Sequence, residues 1–137
     1  MKFAILTFLF ISLGFRAAAS VKVKVQGKLL CPTLFFFNTN LWEKDGSNTH
    51  LLSDLKHRRH YVNATTTYEI EGTSGNAKAV KPLITIEHSC GKNYVCVCKE
   101  FGEVRADFEA TVDINLENSN LKECSGCTEA RKTRGWE

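Results

Sequence analysis

Val21-Lys-Val-Lys-Val-Gln-Gly-Lys-Leu-Leu-Cys31 stands directly behind an apolar leader. Valines at 21, 23 and 25 alternate with Lys22 and Lys24. Successive side chains of a strand point to opposite faces, so this alternation predicts a half-buried β-strand with one apolar and one cationic face. The strand ends on a cysteine, and what precedes it decides how that cysteine is read.

Met1 to Ala19 reads as a secretory signal peptide. Lys2 supplies the positive start, Phe3 to Phe15 the apolar run and Ala17-Ala18-Ala19 the small residues of a cleavage site near Ala19/Ser20. A membrane span needs about 20 apolar residues, and Arg16 closes this run early, so no transmembrane segment is expected. The remaining segment, 20–137, is expected to form one secreted, extracellular domain with an irregular cysteine-bearing tail from about residue 122. Without Lys2 and Arg16, sixteen basic residues face fifteen acidic ones. That near balance does not imply strong global attraction to nucleic acid, and no nucleic-acid partner is expected. Cys31, Cys90, Cys96, Cys98, Cys124 and Cys127 make an even count in a small exported chain, which points to disulfides. Asn63-Ala64-Thr65 is an N-glycosylation sequon and fits the same compartment.

Downstream, Leu34 to Trp42 reads as a strand that closes at Asp45-Gly46. Leu51 to Leu55 reads as a short strand or an irregular edge. Thr66 to Glu71 alternates and stops at Gly72, and Thr73 to Lys78 reads as a loop. Leu83 to His88 and Tyr94 to Cys98 read as the arms of a hairpin. Phe108, Ala110, Val112, Ile114 and Leu116 alternate with five polar residues, which leaves little room for a helix. About seven to eight short strands between frequent turn signals, with no amphipathic helix, predict an all-β sandwich.

Four blocks carry a resemblance: Val23 to Cys31, Leu41-Trp42-Glu43-Lys44-Asp45, Tyr68-Glu69-Ile70-Glu71-Gly72 and Pro82 to Cys90. Together they resemble the nematode transthyretin-like family, of which the chain looks like a divergent member. Pro32-Thr33-Leu34-Phe35 replaces the family's Asn-Gly-Lys-Pro, Asn63-Ala64-Thr65-Thr66 replaces its Asp-x-x-Gly turn, and six cysteines stand where four are common. The resemblance implies a disulfide-bonded, transthyretin-like (immunoglobulin-like) β-sandwich, secretion, and recognition of an extracellular partner such as anionic lipid on dying cells.

Cys96-x-Cys98 and Cys124-x-x-Cys127 offer four sulfurs, which in a cytosolic chain would suggest zinc. Behind a leader, disulfides are the expectation, with no metal and no cofactor. Cys96 and Cys98 share a strand face, so each should pair with a cysteine elsewhere. Hairpin proximity suggests a bond from Cys90 to Cys96 or Cys98, with Cys31 bonded to the tail and the third bond between the remaining two.

Lys56-His57-Arg58-Arg59-His60 is the one local basic cluster, a solvated loop or an anion-binding patch for lipid head groups or sulfated glycans. Phe35-Phe36-Phe37 cannot all face one side of a strand, so at least one ring should be exposed or covered by a partner chain. His88 reads as a structural histidine.

An enzymatic reading is tested against the 5-hydroxyisourate hydrolases, which resemble transthyretin. Those use a first-strand His, a second-strand Arg and a Tyr-Arg-Gly-Ser end. Val21 to Leu30 holds no His, Leu34 to Glu43 holds no Arg, and the chain ends Arg134-Gly135-Trp136-Glu137. The expectation is a non-enzymatic secreted binding protein for a lipid, glycan or receptor. The alternatives are a carrier of a small apolar ligand between subunits and, after it, such a hydrolase.

Overall fold

The computed structural model describes residues 20–54, 60–75, 79–91 and 93–127, with the side chains of Asp54, His60 and Tyr61 excepted. Residues 1–19, 55–59, 76–78, 92 and 128–137 lie outside that set. The described residues form ten strands: β1 (Val21–Leu30), β2 (Leu34–Asp45), β3 (Asn48–Asp54), β4 (His60–Asn63), β5 (Thr66–Ser74), β6 (Pro82–His88), β7 (Val95–Glu100), β8 (Phe108–Thr111), β9 (Ile114–Asn115) and β10 (Lys122–Glu123). The count exceeds the expected seven to eight because two of the ten are two-residue pieces and β4 spans only four residues.

The strands make a disulfide-bonded β-sandwich of two sheets. The first carries β5-β1-β8, with β9 also on β1; the second runs β10-β7-β6-β2-β3, with β4 also on β2. Val21, Val23, Val25 and Leu29 of β1 face Phe35, Phe37, Leu41, Ile84, Ile86 and Val97 of the second sheet, all within one buried cluster. The outward lysines of β1 meet acids: Lys22 lies 3.1 Å from Glu71 and Lys24 lies 3.4 Å from Glu69. Burial of the valines on one side and solvation of the lysines on the other is what the opening alternation requires.

Two readings of the sequence need correction. Strand β5 runs through Gly72 to Ser74, because Gly72 and Thr73 stay in register with Val23 and Lys22. The run from Phe108 to Leu116 keeps the expected alternation of facing and forms two strands, both parallel to β1. Between them the Val112 carbonyl lies over Gly27, whose added Cβ would lie 2.0 Å from the Val112 oxygen. The Asp113 carboxylate then accepts the Lys28 amide hydrogen at 2.8 Å, and Asp107 accepts that of Lys22 at 2.9 Å. Side-chain oxygens thus satisfy β1 amides that the ladder leaves unpaired.

The second correction concerns the cysteines. Cys31 bonds Cys90, Cys96 bonds Cys127 and Cys98 bonds Cys124. Nearness along the hairpin is overruled by facing. Cys90 lies in the core cluster with Cys31, so this bond ties the end of β1 in one sheet to the end of β6 in the other. Cys96 and Cys98 pair across the ladder with Glu87 and Thr85, on the opposite face, and take their partners from the tail. Both tail cysteines are therefore fixed to β7.

The three phenylalanines at 35, 36 and 37 are all buried. Phe35 and Phe37 enter the core, while Phe36 points the other way beneath Tyr94 of the same chain, ring centroids 4.8 Å apart. The expected exposed or partner-covered ring is covered from within. Leu34 (65 % exposed) and Tyr94 (61 %) carry the exposure instead.

Candidate binding groove

Trp42, Leu83, Leu51 and Cys98 form a second, smaller apolar cluster, separate from the core. Asn40 Nδ2 and Trp42 Nε1 both donate to Thr85 Oγ1, at 3.4 and 3.0 Å, which fixes the neighbouring strands side by side. Next to this cluster the tail turns back along β7. Lys122 and Glu123 pair with Cys98 and Val97, and the Cys124 amide donates to the Cys96 carbonyl at 3.0 Å. Gly126 then passes so close to the sheet that a Cβ there would meet Thr85 Cγ2 at 2.8 Å. Lack of a side chain lets the tail lie flat on the strands.

Between tail and sheet runs a groove of about 460 Å³. Its apolar lining includes Leu83, Leu121 and the Cys98–Cys124 disulfide, and Lys44, Lys99, Lys122 and Glu100 stand at its margin. The volume is of small-ligand size. Lys44 Nζ sits 2.8 Å from Glu100 Oε1. That hydrogen bond and charge, with Lys122 adding to them, hold the Glu100 carboxyl below its ordinary value. Among the described residues, Lys99 and Lys122 have no carboxylate within 4.0 Å. Three lysines against one glutamate leave the margin net positive.

A second cavity, about 290 Å³, is lined by His88, Val95, Val97, Leu116 and Leu121 among others. His88 is 2 % exposed, its Nδ1 accepts the Cys90 amide hydrogen at 3.2 Å, and its Nε2 has no partner. Acceptance at Nδ1 places the neutral ring's proton on Nε2. Burial lowers the pKa of this ring. The expected structural histidine is thus a buried one that braces the backbone beside the Cys31–Cys90 bond.

The other expected site residues divide plainly. Asn63 is exposed at the end of β4, and the turn into β5 passes through Ala64 at φ 67°. Lys56, His57, Arg58 and Arg59 lie outside the described residues, and only the backbone of His60 is described, paired with Phe37. The sulfurs of Cys96, Cys98 and Cys124 lie within 4.8 Å of one another, each engaged in a disulfide. Lys44, Lys99 and Lys122 escape a reading of the sequence because they stand far apart in it. Only the β2-β6-β7-β10 order brings them together.

Among the described residues no helix is long and apolar enough to cross a membrane. No family model, curated protein or solved structure matches the chain.

Proposed function

We infer that the protein is a secreted, non-enzymatic β-sandwich that recognises an anionic lipid surface, with the head group seated in the lysine-margined groove. The observation that carries this reading is the pairing of an apolar lining with two lysines, Lys99 and Lys122, that have no carboxylate within 4.0 Å among the described residues. An amphipathic anion satisfies both halves of such a site: acyl carbon meets Leu83 and Leu121, and the head group meets the ammonium groups. Each cation near an anionic membrane contributes about 1 kcal/mol, so losing both weakens binding by roughly 30-fold. Three disulfides and the exposed sequon at Asn63 support secretion. The transthyretin-like resemblance supports the same reading of fold and compartment.

Vesicle co-sedimentation tests the site. Binding should appear with phosphatidylcholine vesicles containing phosphatidylserine, fade with salt, and drop about 30-fold in Lys99→Ala with Lys122→Ala. Equal binding to vesicles of phosphatidylcholine alone refutes the anionic requirement. If Arg58→Glu with Arg59→Glu abolishes binding while the lysine pair does not matter, the site is the basic cluster and not the groove.

A further inference from the structure

The three disulfides sit in unlike surroundings. Cys31 and Cys90 are 4 % and 6 % exposed and belong to the core. Cys98 and Cys124 are half-buried and line the groove. Exposed disulfides are the ones that exchange with external thiols. Lys99 follows Cys98 in sequence and Lys122 faces it across the β7–β10 ladder, so an incoming anion is drawn to the Cys98 sulfur.

The neighbouring bond gives that encounter a second step. Cys124 Sγ lies 3.6 Å from Cys96 Sγ, to which it is not bonded. Continuing the register of Lys122 with Cys98 and Glu123 with Val97 sets Cys124 opposite Cys96, and the Cys124 amide already donates to the Cys96 carbonyl. Directly opposed residues of an antiparallel pair have Cα atoms about 4.5–5.5 Å apart, within the range a disulfide spans. A Cys96–Cys124 bond therefore needs little movement of the backbone.

We propose that Cys98–Cys124 is a thiol–disulfide exchange site for a small anionic thiol, and that Cys96–Cys127 completes the reaction as a relay. The incoming thiolate attacks Cys98 Sγ; a mixed disulfide forms there, the Cys98–Cys124 bond breaks, and its electron pair leaves on Cys124. The Cys124 thiolate attacks Cys96 Sγ, forming Cys96–Cys124 and breaking Cys96–Cys127. The electron pair leaves on Cys127 Sγ, which takes up the proton the small thiol lost. Two sulfur–sulfur bonds exist before and two after, so no oxidant or reductant is consumed. The relay traps the adduct, because the thiolate that would expel it has been spent on Cys96. This inference shares the groove with the lipid reading but needs no lipid, so either stands if the other fails.

The experiment treats the protein, with its three disulfides intact, with reduced glutathione, alkylates with N-ethylmaleimide and maps the peptides in acid. Glutathione is expected on Cys98, the alkyl group on Cys127, a new Cys96–Cys124 link, and Cys31–Cys90 untouched. No adduct, an adduct on Cys124, or reaction first at Cys31 or Cys90 overturns the proposal. Cys96→Ser with Cys127→Ser keeps the exchange bond and removes the relay. The Cys98 adduct should then fall at least about tenfold, because Cys124 recloses the ring intramolecularly. An unchanged yield in this variant refutes the relay; if the variant does not fold, the wild-type map decides alone.

Discussion

The hydroxyl of Tyr68 donates a 2.8 Å hydrogen bond to the main-chain carbonyl of Val112, reaching over β1 to do so. Gly27 lies between them, paired in register with Tyr68 and with its missing side chain beneath the Val112 oxygen. A part-buried carbonyl outside the ladder gains from a donor, and the lack of a Cβ on Gly27 lets this carbonyl lie over β1 within reach of Tyr68. Burial, with Asp113 adding to it, raises the Tyr68 pKa well above its ordinary value, so the phenol keeps its proton.

Tyr68→Phe should cost about 1–3 kcal/mol, since it strands the Val112 carbonyl. Gly27→Ala should be at least as damaging, because the obstacle is backbone and cannot swing aside. Denaturant unfolding measures both. A Gly27→Ala protein as stable as the parent would contradict this close approach of Val112 to Gly27.

Removing the Cys31–Cys90 bond should be the most costly of the three disulfide deletions. It closes the longest loop, with a sequence separation of 59 against 31 and 26. Loop-closure entropy puts it at roughly 4 kcal/mol. Paired Cys→Ala substitutions followed by thermal melts rank the three bonds, and a larger loss from either tail bond contradicts this ranking.

Stability should fall as the solution is acidified below about pH 6.5, the ordinary value for a histidine. The folded His88 binds its proton less readily than the unfolded one. Between the two values the unfolded chain holds more protons, so acid favours unfolding, by up to about 1.4 kcal/mol per pH unit for a single group. Above about pH 6.5 this contribution is fully retained. His88→Asn should flatten that part of the stability profile. A variant with the parent's slope assigns the effect to another group.

Expression through a eukaryotic secretory route should attach a glycan at Asn63, which is exposed in the β4–β5 turn. Peptide N-glycosidase treatment should lower the mass, and Thr65→Ala should abolish the shift. An unmodified secreted chain would remove the sequon from the argument for compartment.

Residues that act on immediate neighbours were legible in the sequence. Val21, Val23 and Val25 announced their strand because strand facing repeats every second residue. Asp45-Gly46 announced its turn because Gly46 takes a positive φ of 59°. Cysteine pairing was not legible, since it depends on which sheet and which face each sulfur joins. Cys90 is close to Cys96 in sequence, yet one enters the core and the other faces the tail. The same applies to the groove: Lys44 and Lys122 line it together only because β6 and β7 stand between β2 and β10 in the sheet. Parallel pairing of β1 with β8 and β9 was equally hidden, as alternation reports facing and not direction.

That parallel pairing also sets an order of events during synthesis. Strand β1 is made early, but its partners Phe108 to Asn115 come some 85 residues later. Its Val23 and Leu29 cannot settle between both neighbours until most of the chain has been made. Long-range pairing of this kind slows folding. The clasp of Cys124 and Cys127 onto β7 can close only after both cysteines have been made.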